Sequence, residues 1–456
     1  VDAMCARPEI LLISTQLRYI AWMLNDTEAQ VRLSALGAIR QIAEDEENCV
    51  RLTGFLDRFH ERLVNMTSDT DMNVAKEAIC TAQALLQARL LVDKDDVTSL
   101  VWLSVERDPE MREAAKPILH EALMRGFFGP GLSGTGTDRG LSGVIAAAAE
   151  LDMLSPMYLA AMVSSLYEMP VTRHALRAYK AGLDMAGDGS PLSLSVLTLL
   201  RYAATMATYG EVPALRALST SGKKSKKLPE RDVQMIYICI YICVCSKKLP
   251  ERDVHVPRPE TPYDEEAIGF LSSALSSASE VTELFERIAS TGIEGATQLV
   301  TLLSYVDMQS TAATSAKEVL TLALELCATP NSVVEREREA GCLFVDATMR
   351  LAGVLMSSDY TSSDVSGEVT LHMQGMQRDL RANEEISGCG LFLTNISCIL
   401  MHTSVVDHIM AKDLFEVVCN KVDAFSAMLK EGQGEREPGA EVVRVSNVVA
   451  LTSISQ

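Results

Sequence analysis

A short residue pattern recurs along the first part of the chain at the spacing of a helical repeat. An aspartate is followed five positions later by a valine at Asp26 and Val31, and the same spacing returns at Asp69 and Val74. These copies lie about 43 residues apart, and a weaker third copy begins at Asp108. A basic residue and a helix rich in small side chains follow the first two copies. Self-similarity with this period indicates stacked supersecondary units rather than one closed core.

Apolar residues around these copies recur at the spacing of α-helices. Asp26 or Thr27 is positioned to cap the second helix, because a short side-chain acceptor satisfies its free N–H groups. A pair of such helices leaves an apolar face that only a neighbouring pair covers. The sequence therefore predicts an all-α fold, a HEAT-repeat-like α-solenoid of stacked antiparallel helix pairs. Three apolar stripes carry this prediction: Leu17, Ile20, Met23 and Leu24; Val31, Leu33, Leu36, Ile39 and Ile42; and Leu52, Leu56, Phe59 and Leu63.

The same patterns divide the chain into segments. The chain begins at Val1 without an initiator methionine or a basic leader, so we expect it to lack its natural N-terminus. In the later repeats, helices are predicted to begin near Ser276, Thr311, Asn331, Asp364 and Ser404. We expect HEAT-type repeats over 1–128, a glycine-rich loop over 129–143, helical repeats over 144–218, an irregular insertion over 219–263, helical repeats over 264–430 and a poorly ordered tail over 431–456.

The insertion contains a perfect local duplication. The sequence SKKLPERDV at 225–233 recurs unchanged at 246–254, with an alternating run of isoleucine, tyrosine, cysteine and valine between the copies. We interpret this as a tandem duplication or as translated non-coding sequence, with a β-hairpin or a metal site as the functional alternatives. The lysine-rich run at 223–227 is a candidate nuclear-import or nucleic-acid patch. A metal site lacks the paired spacing that zinc sites use, and its ligands would be Cys239, Cys243, Cys245 and His255.

Composition and motifs favour a non-catalytic protein. A net charge of −20 repels bare nucleic acid, so DNA contact would need a local basic patch or a partner subunit. Eleven cysteines without framework spacing indicate a reducing compartment. No apolar run reaches the roughly 18 residues that span a bilayer. The chain carries no nucleophile elbow, no H-E-x-x-H and no P-loop. We therefore predict no catalytic residue, no cofactor, no metal and no membrane partner.

Aromatic and arginine side chains cluster on the first and third predicted helices. On the first helix, Arg18 and Trp22 share a face at i,i+4, and Tyr19 lies beside them. Because tryptophan, tyrosine and arginine dominate interface hot spots, we predict a partner-binding surface here. Its members are Arg18, Tyr19, Trp22, Phe55, Arg58, Phe59 and Arg62.

The four residues from the third helix have a second interpretation. Phe59 lies on the Leu52 stripe and is predicted to be core, whereas Phe55 lies at the edge of that stripe. Arg58 and Arg62 are predicted to be at least partly exposed.

This stretch resembles the stromalin conservative domain of the SA/STAG family of cohesin subunits. The family carries Tyr-x-Gly-Trp, then Asp-x4-Val-Arg-Leu, then Phe-x2-Arg-Phe-x2-Arg-(Ile/Leu)-Val-x-Met-Thr. The resemblance covers residues 17–120, and the departures are Ala21 for the usual glycine and Asn65 for the usual serine. The matching residues here are Tyr19, Trp22, Asp26, Val31, Arg32, Leu33, Phe55, Arg58, Phe59, Arg62, Leu63, Val64, Met66 and Thr67.

The resemblance implies a non-catalytic HEAT-repeat subunit of cohesin in the nucleus and on chromosomes, supporting sister chromatid cohesion. The implied partners are the kleisin subunit, the ATPase ring and regulators that dock short aromatic motifs on the predicted surface, with chromatin reached through the complex. A generic HEAT or armadillo adaptor, such as a transport receptor, is the alternative of the same class. A helical enzyme or regulatory subunit with a hidden pocket is the alternative from a different class.

Overall fold

The computed structural model divides the chain into two compact units. Unit 1 comprises Val1–Leu176 and Leu215–Gly222, and unit 2 comprises Arg177–Ala214 and Lys223–Gln456. Within the described ranges every regular element is helical and no strand occurs. The structure describes residues 7–105, 108–128, 137–167, 179–186, 192–213, 215, 258–259, 261–328, 338–357, 365–371, 374–375 and 378.

Unit 1 is built of nine described α-helices with short 3₁₀ turns between some of them. The turns are Cys49–Leu52, Met66–Ser68 and Trp102–Val105. The helices are α1 (Pro8–Leu11), α2 (Ser14–Met23), α3 (Ala29–Ala43), α4 (Thr53–Asn65), α5 (Met72–Gln87), α6 (Lys94–Val101), α7 (Pro109–Met124), α8 (Thr137–Glu150) and α9 (Pro156–Tyr167).

The helices of unit 1 form two layers. In one layer α3 packs on α5 and α5 packs on α7, and in the other α2 packs on α4 and α4 on α6. Consecutive helices also pair, α2 with α3, α4 with α5 and α6 with α7. Leu36, Ile39 and Ile79 are buried where α3 meets α5, and the hydroxyl of Thr81 donates to the Leu36 carbonyl at 3.2 Å. Stacked helix pairs of this kind confirm the predicted all-α, HEAT-repeat-like solenoid.

Unit 2 is also helical throughout its described residues. Helix α11 packs on α14, α14 on α16, and α13 on α15. No helix in the described ranges is both long and apolar enough to span a bilayer. The helices are α10 (Tyr179–Ala186), α11 (Ser193–Tyr209), α12 (Glu265–Ala274), α13 (Ala278–Thr291), α14 (Ile293–Leu303), α15 (Ala312–Ala328) and α16 (Arg338–Met356).

The predicted cap of α3 is wrong. The helix begins at Ala29, and its N-cap is Glu28, which makes no side-chain capping bond. Asp26 accepts the Glu28 N–H at 2.9 Å instead, which lies before the first helical turn. Later helices do use aspartate caps, since each of these carboxylates accepts two N–H groups of the first turn. They are Asp71 for α5, Asp93 for α6 and Asp108 for α7.

The predicted glycine-rich loop extends too far. Helix α8 begins at Thr137, inside the segment 129–143 that was predicted to be a loop. Glycine costs a helix about 1 kcal/mol, so Gly140 and Gly143 weaken this start, but Val144 and Ile145 are buried just beyond them. Burial of these apolar side chains outweighs the glycine cost.

Several predictions can be located against the described ranges. The starts predicted near Ser276, Thr311 and Asp364 agree within two residues with α13, α15 and the helical stretch at 365–371. The starts near Asn331 and Ser404 lie outside the described residues. So do both copies of the duplication, Cys239, Cys243, Cys245 and His255, the lysine-rich run and the tail from 431.

Candidate partner-binding surface

Helix α2 has one buried face and one exposed face. Leu17, Ile20 and Ala21 are buried, and they follow the helical spacing that turns them toward the rest of unit 1. The opposite face presents Arg18, Tyr19 and Trp22 to solvent, with Tyr19 47% and Trp22 62% exposed. Large aromatic rings this exposed are a marker of a binding surface rather than of core packing.

The three exposed side chains contact one another before any partner arrives. The Tyr19 and Trp22 rings meet edge to face, with centroids 5.1 Å apart and planes at 86°. The Arg18 guanidinium carbon lies 5.2 Å from the Tyr19 centroid and 5.6 Å from that of Trp22. Such geometry is that of a cation–π contact. Because the rings are already arranged, these side chains lose less conformational entropy when a partner binds.

The arginines of this surface are available to acidic groups. Among the described residues, neither Arg18 nor Arg58 forms an ion pair, and both are exposed. A guanidinium offers several N–H donors in a planar fork that suits a carboxylate. The surface therefore presents exposed aromatic rings and an exposed guanidinium group side by side on α2.

Phe55 and Phe59 exchange the positions predicted for them. Phe55 is 5% exposed and belongs to the core, whereas Phe59 is only half-buried, and their ring centroids lie 4.9 Å apart. The other members of the predicted stripe, Leu52, Leu56 and Leu63, are buried as predicted. The buried face of α4 therefore keeps its predicted register but extends on the side of Phe55 rather than on the side of Phe59. Phe55 therefore supports Phe59 from beneath and offers almost no surface of its own to a partner.

Arg62 was predicted to be partly exposed, and it is half-buried, but it bonds to its own chain. Its Nη2 donates to the Leu24 carbonyl at 2.8 Å, at the C-terminal end of α2. The helix end leaves carbonyl groups without partners, and an arginine donor satisfies one of them. Arg62 is therefore attached to the helix that carries Trp22.

A buried ion pair beside the surface was missed by sequence reasoning. Arg32 donates to both carboxylate oxygens of Asp69, at 2.9 and 2.7 Å, and its Nη1 donates to the carbonyls of Asp26 and Thr27. The hydrogen bond from Arg32, aided by the N–H of Asp71 and by the charges of Arg32 and Arg62, holds the pKa of the Asp69 carboxyl below its ordinary value. The signal was present, because Asp69 opens the second repeat copy and Arg32 follows the valine of the first.

Unit 2 contributes a cleft between α10, α12 and α13. The cleft has a volume of about 510 Å³, and the ammonium of Lys180 lies 3.5 Å from the Glu280 carboxylate at its rim. In the described part of the chain, no group of three or more histidine, cysteine or acidic side chains could hold a metal ion. Its lining is half aliphatic and half charged, and the charged residues are Lys180, Asp184, Glu280, Glu283 and Arg287.

Comparison with known proteins finds relatives of the N-terminal part of the chain. Residues 2–60 match the family model of the stromalin conservative domain. Over 121 residues the chain is 34% identical to sister-chromatid cohesion protein 3 of Arabidopsis thaliana, covering 26% of this chain and 11% of that protein. Over 116 residues it is 29% identical to cohesin subunit SA-1 of Xenopus laevis, covering 25% and 9%. The chain thus spans about a tenth of the length of these curated relatives.

Solved structures resemble this chain only weakly. A crystal structure of importin beta aligns over 97% of this chain and 58% of that chain, at 12% identity and a TM-score of 0.25. So low a score adds nothing to the fold assignment, which rests on the helix packing described above. The family match over residues 2–60 and the aligned relatives show that part of this chain is similar to proteins of the stromalin family.

Proposed function

We propose that this protein is a non-catalytic accessory subunit of the cohesin complex that supports sister chromatid cohesion and chromatin association. The observation that carries the proposal is the exposed Arg18–Tyr19–Trp22 cluster on α2, which lies inside the matched stromalin segment. The names of the aligned relatives supply the complex. A helical solenoid suits this role because its repeats present extended surfaces to partner segments.

The proposed partners follow from this assignment. The kleisin subunit and the ATPase ring form the complex, and regulators with short aromatic motifs dock on the aromatic–arginine surface. An aromatic side chain of such a motif packs on Trp22 and Phe59, while a neighbouring carboxylate pairs with Arg58 or Arg18. Chromatin is reached through the complex, since a chain with a net charge of −20 is repelled by bare DNA. The place of action is the nucleus, on the chromosome.

The test is affinity purification of the full-length protein from nuclear extract, followed by mass spectrometry. We expect a kleisin and the two ring ATPases in comparable amounts with the wild-type chain, and reduced recovery of docked regulators with Trp22→Ala. Phe270→Ala is the matched control, because Phe270 is an aromatic residue 49% exposed in unit 2. Recovery of transport cargo without chromosome proteins would overturn the proposal in favour of a generic HEAT or armadillo adaptor.

A further inference from the structure

We propose that Arg62 is a positioning residue, which acts with Arg32 and Asp69 as a latch that fixes the loop after α2 and thereby the orientation of Trp22. We call these three residues the loop latch. The effect of the loop latch on Trp22 is a property of the protein alone. Its effect on partner binding rests on the proposed function.

Three carbonyl groups of one short loop are held by two guanidinium groups. Arg62 donates to the Leu24 carbonyl at 2.8 Å, and Arg32 donates to the carbonyls of Asp26 and Thr27 at 2.9 and 3.0 Å. Carbonyls at the C-terminal end of a helix carry a partial negative charge, so cationic donors stabilise them. The loop between α2 and α3 is therefore fixed along its length by side chains from α3 and α4.

The latch has its own anchor. Asp69 follows the 3₁₀ turn after α4 and binds Arg32 through both carboxylate oxygens, at 2.9 and 2.7 Å. The side chains of Arg32 and Asp69 are 11% and 9% exposed, so water competes little for this pair. The N–H of Asp71 also donates to the Asp69 carboxylate, at 2.9 Å, which holds this anchor in place. The orientation of Arg32 is thus fixed by a group outside the loop that it holds.

The loop between α2 and α3 is hydrogen-bonded directly to the end of α2 that carries Trp22. The N–H of Asn25 donates to the Trp22 carbonyl at 3.0 Å, and the N–H of Asp26 donates to the Met23 carbonyl at 3.2 Å. Trp22 therefore lies in the last turn of α2, closed by the same loop whose carbonyls the latch holds. Helix α2 has only 10 residues, and the ends of so short a helix open readily without added contacts. Loss of the latch should therefore free Trp22.

The chain offers a clean reporter and a matched control. It contains two tryptophans, so Trp102→Phe leaves Trp22 as the single tryptophan of the full-length protein. Arg125 holds the end of a different helix in the same way, since it donates to the Leu86 and Gln87 carbonyls in the last turn of α5. Arg125→Met therefore removes an equivalent arginine–carbonyl contact at a site distant in sequence from Trp22.

The experiment is time-resolved fluorescence anisotropy of Trp22 in this single-tryptophan protein. We expect Arg62→Met to increase the amplitude of fast local motion, Arg62→Lys to restore most of the wild-type decay through its ammonium donor, and Arg125→Met to leave the decay unchanged. Asp69→Asn, which keeps Arg62, is a second variant and should increase Trp22 motion in the same direction. Equal decays in wild type, Arg62→Met and Asp69→Asn would overturn the proposal.

Binding measurements separate this inference from the proposed function. Arg62→Met should weaken binding of an aromatic-motif peptide or of the kleisin roughly 2- to 30-fold, the range expected for residues that act from behind a site, and Arg62→Lys should recover most of it. Trp22 motion that increases while no cohesin partner binds even the wild type would refute the proposed function and leave the latch intact. Unchanged Trp22 motion together with wild-type partner binding would refute the latch alone.

Discussion

Truncating Phe55 should destabilise the fold strongly, whereas truncating Trp22 should leave its stability almost unchanged. Phe55 is 5% exposed beside buried Leu56, so Phe55→Ala removes a buried ring and leaves a cavity, which costs about 3–5 kcal/mol of unfolding free energy. Trp22 is 62% exposed, so Trp22→Ala should change stability by no more than about 0.5 kcal/mol. The two residues were predicted to share one binding surface. The difference in stability loss shows which of them supports the fold and which is available to a partner.

The assay is urea unfolding followed by the fluorescence of Trp102. This ring lies in unit 1 and meets Tyr158 edge to face at 5.1 Å, so its emission reports the unfolding of that unit. Trp22→Ala leaves Trp102 as the only tryptophan, and Phe55→Ala is added in that background so that both proteins give the same signal. A loss below about 1 kcal/mol for Phe55→Ala, well under the usual cost of truncating a buried phenylalanine, would refute its placement in the core.

Two further predictions concern the aspartates of the repeat. The pKa of Asp69 is lowered in the folded state by its bond to Arg32, so its contribution to stability is present above the ordinary carboxyl pKa and is lost as pH falls through the lower folded value. Unfolding free energy measured below about pH 4 should therefore fall less steeply for Asp69→Asn than for wild type, and equal slopes would contradict this. Asp71 caps α5 by accepting from two backbone N–H groups, so Asp71→Ala should cost about 1 kcal/mol in thermal or urea unfolding, with Asp71→Asn as the control that keeps an acceptor.

Periodicity was sufficient to predict the helices and their stacking. The spacing of Asp26 and Asp69 identified equivalent points of successive repeats, since α3 begins three residues after Asp26 and α5 begins three residues after Asp69. The apolar stripe on α3 also holds, since Leu36 and Ile39 are fully buried. These features depend on local spacing alone, which a single sequence contains.

The roles of individual side chains in the candidate surface depend on details that periodicity omits. Leu56 and Leu63 are buried as predicted, but the packing around α4 covers Phe55 more completely than Phe59, and periodicity within one helix does not show which side its neighbours cover. Arginine is a residue type common in interface hot spots, but Arg62 donates instead to a carbonyl at the end of α2. In the sequence Arg32 looks like any charged residue of a helix. Its pairing with Asp69, 37 residues later, depends on how the chain folds.

The most direct test of the proposed function is the affinity of the purified full-length protein for a purified cohesin kleisin bound to an aromatic-motif regulator, measured by isothermal titration calorimetry. We predict that Trp22→Ala raises Kd by about 30-fold, the equivalent of a hot-spot loss of about 2 kcal/mol, while Phe270→Ala leaves Kd unchanged. The same Kd for wild type, Trp22→Ala and Phe270→Ala would contradict the assignment of the α2 surface as the docking site.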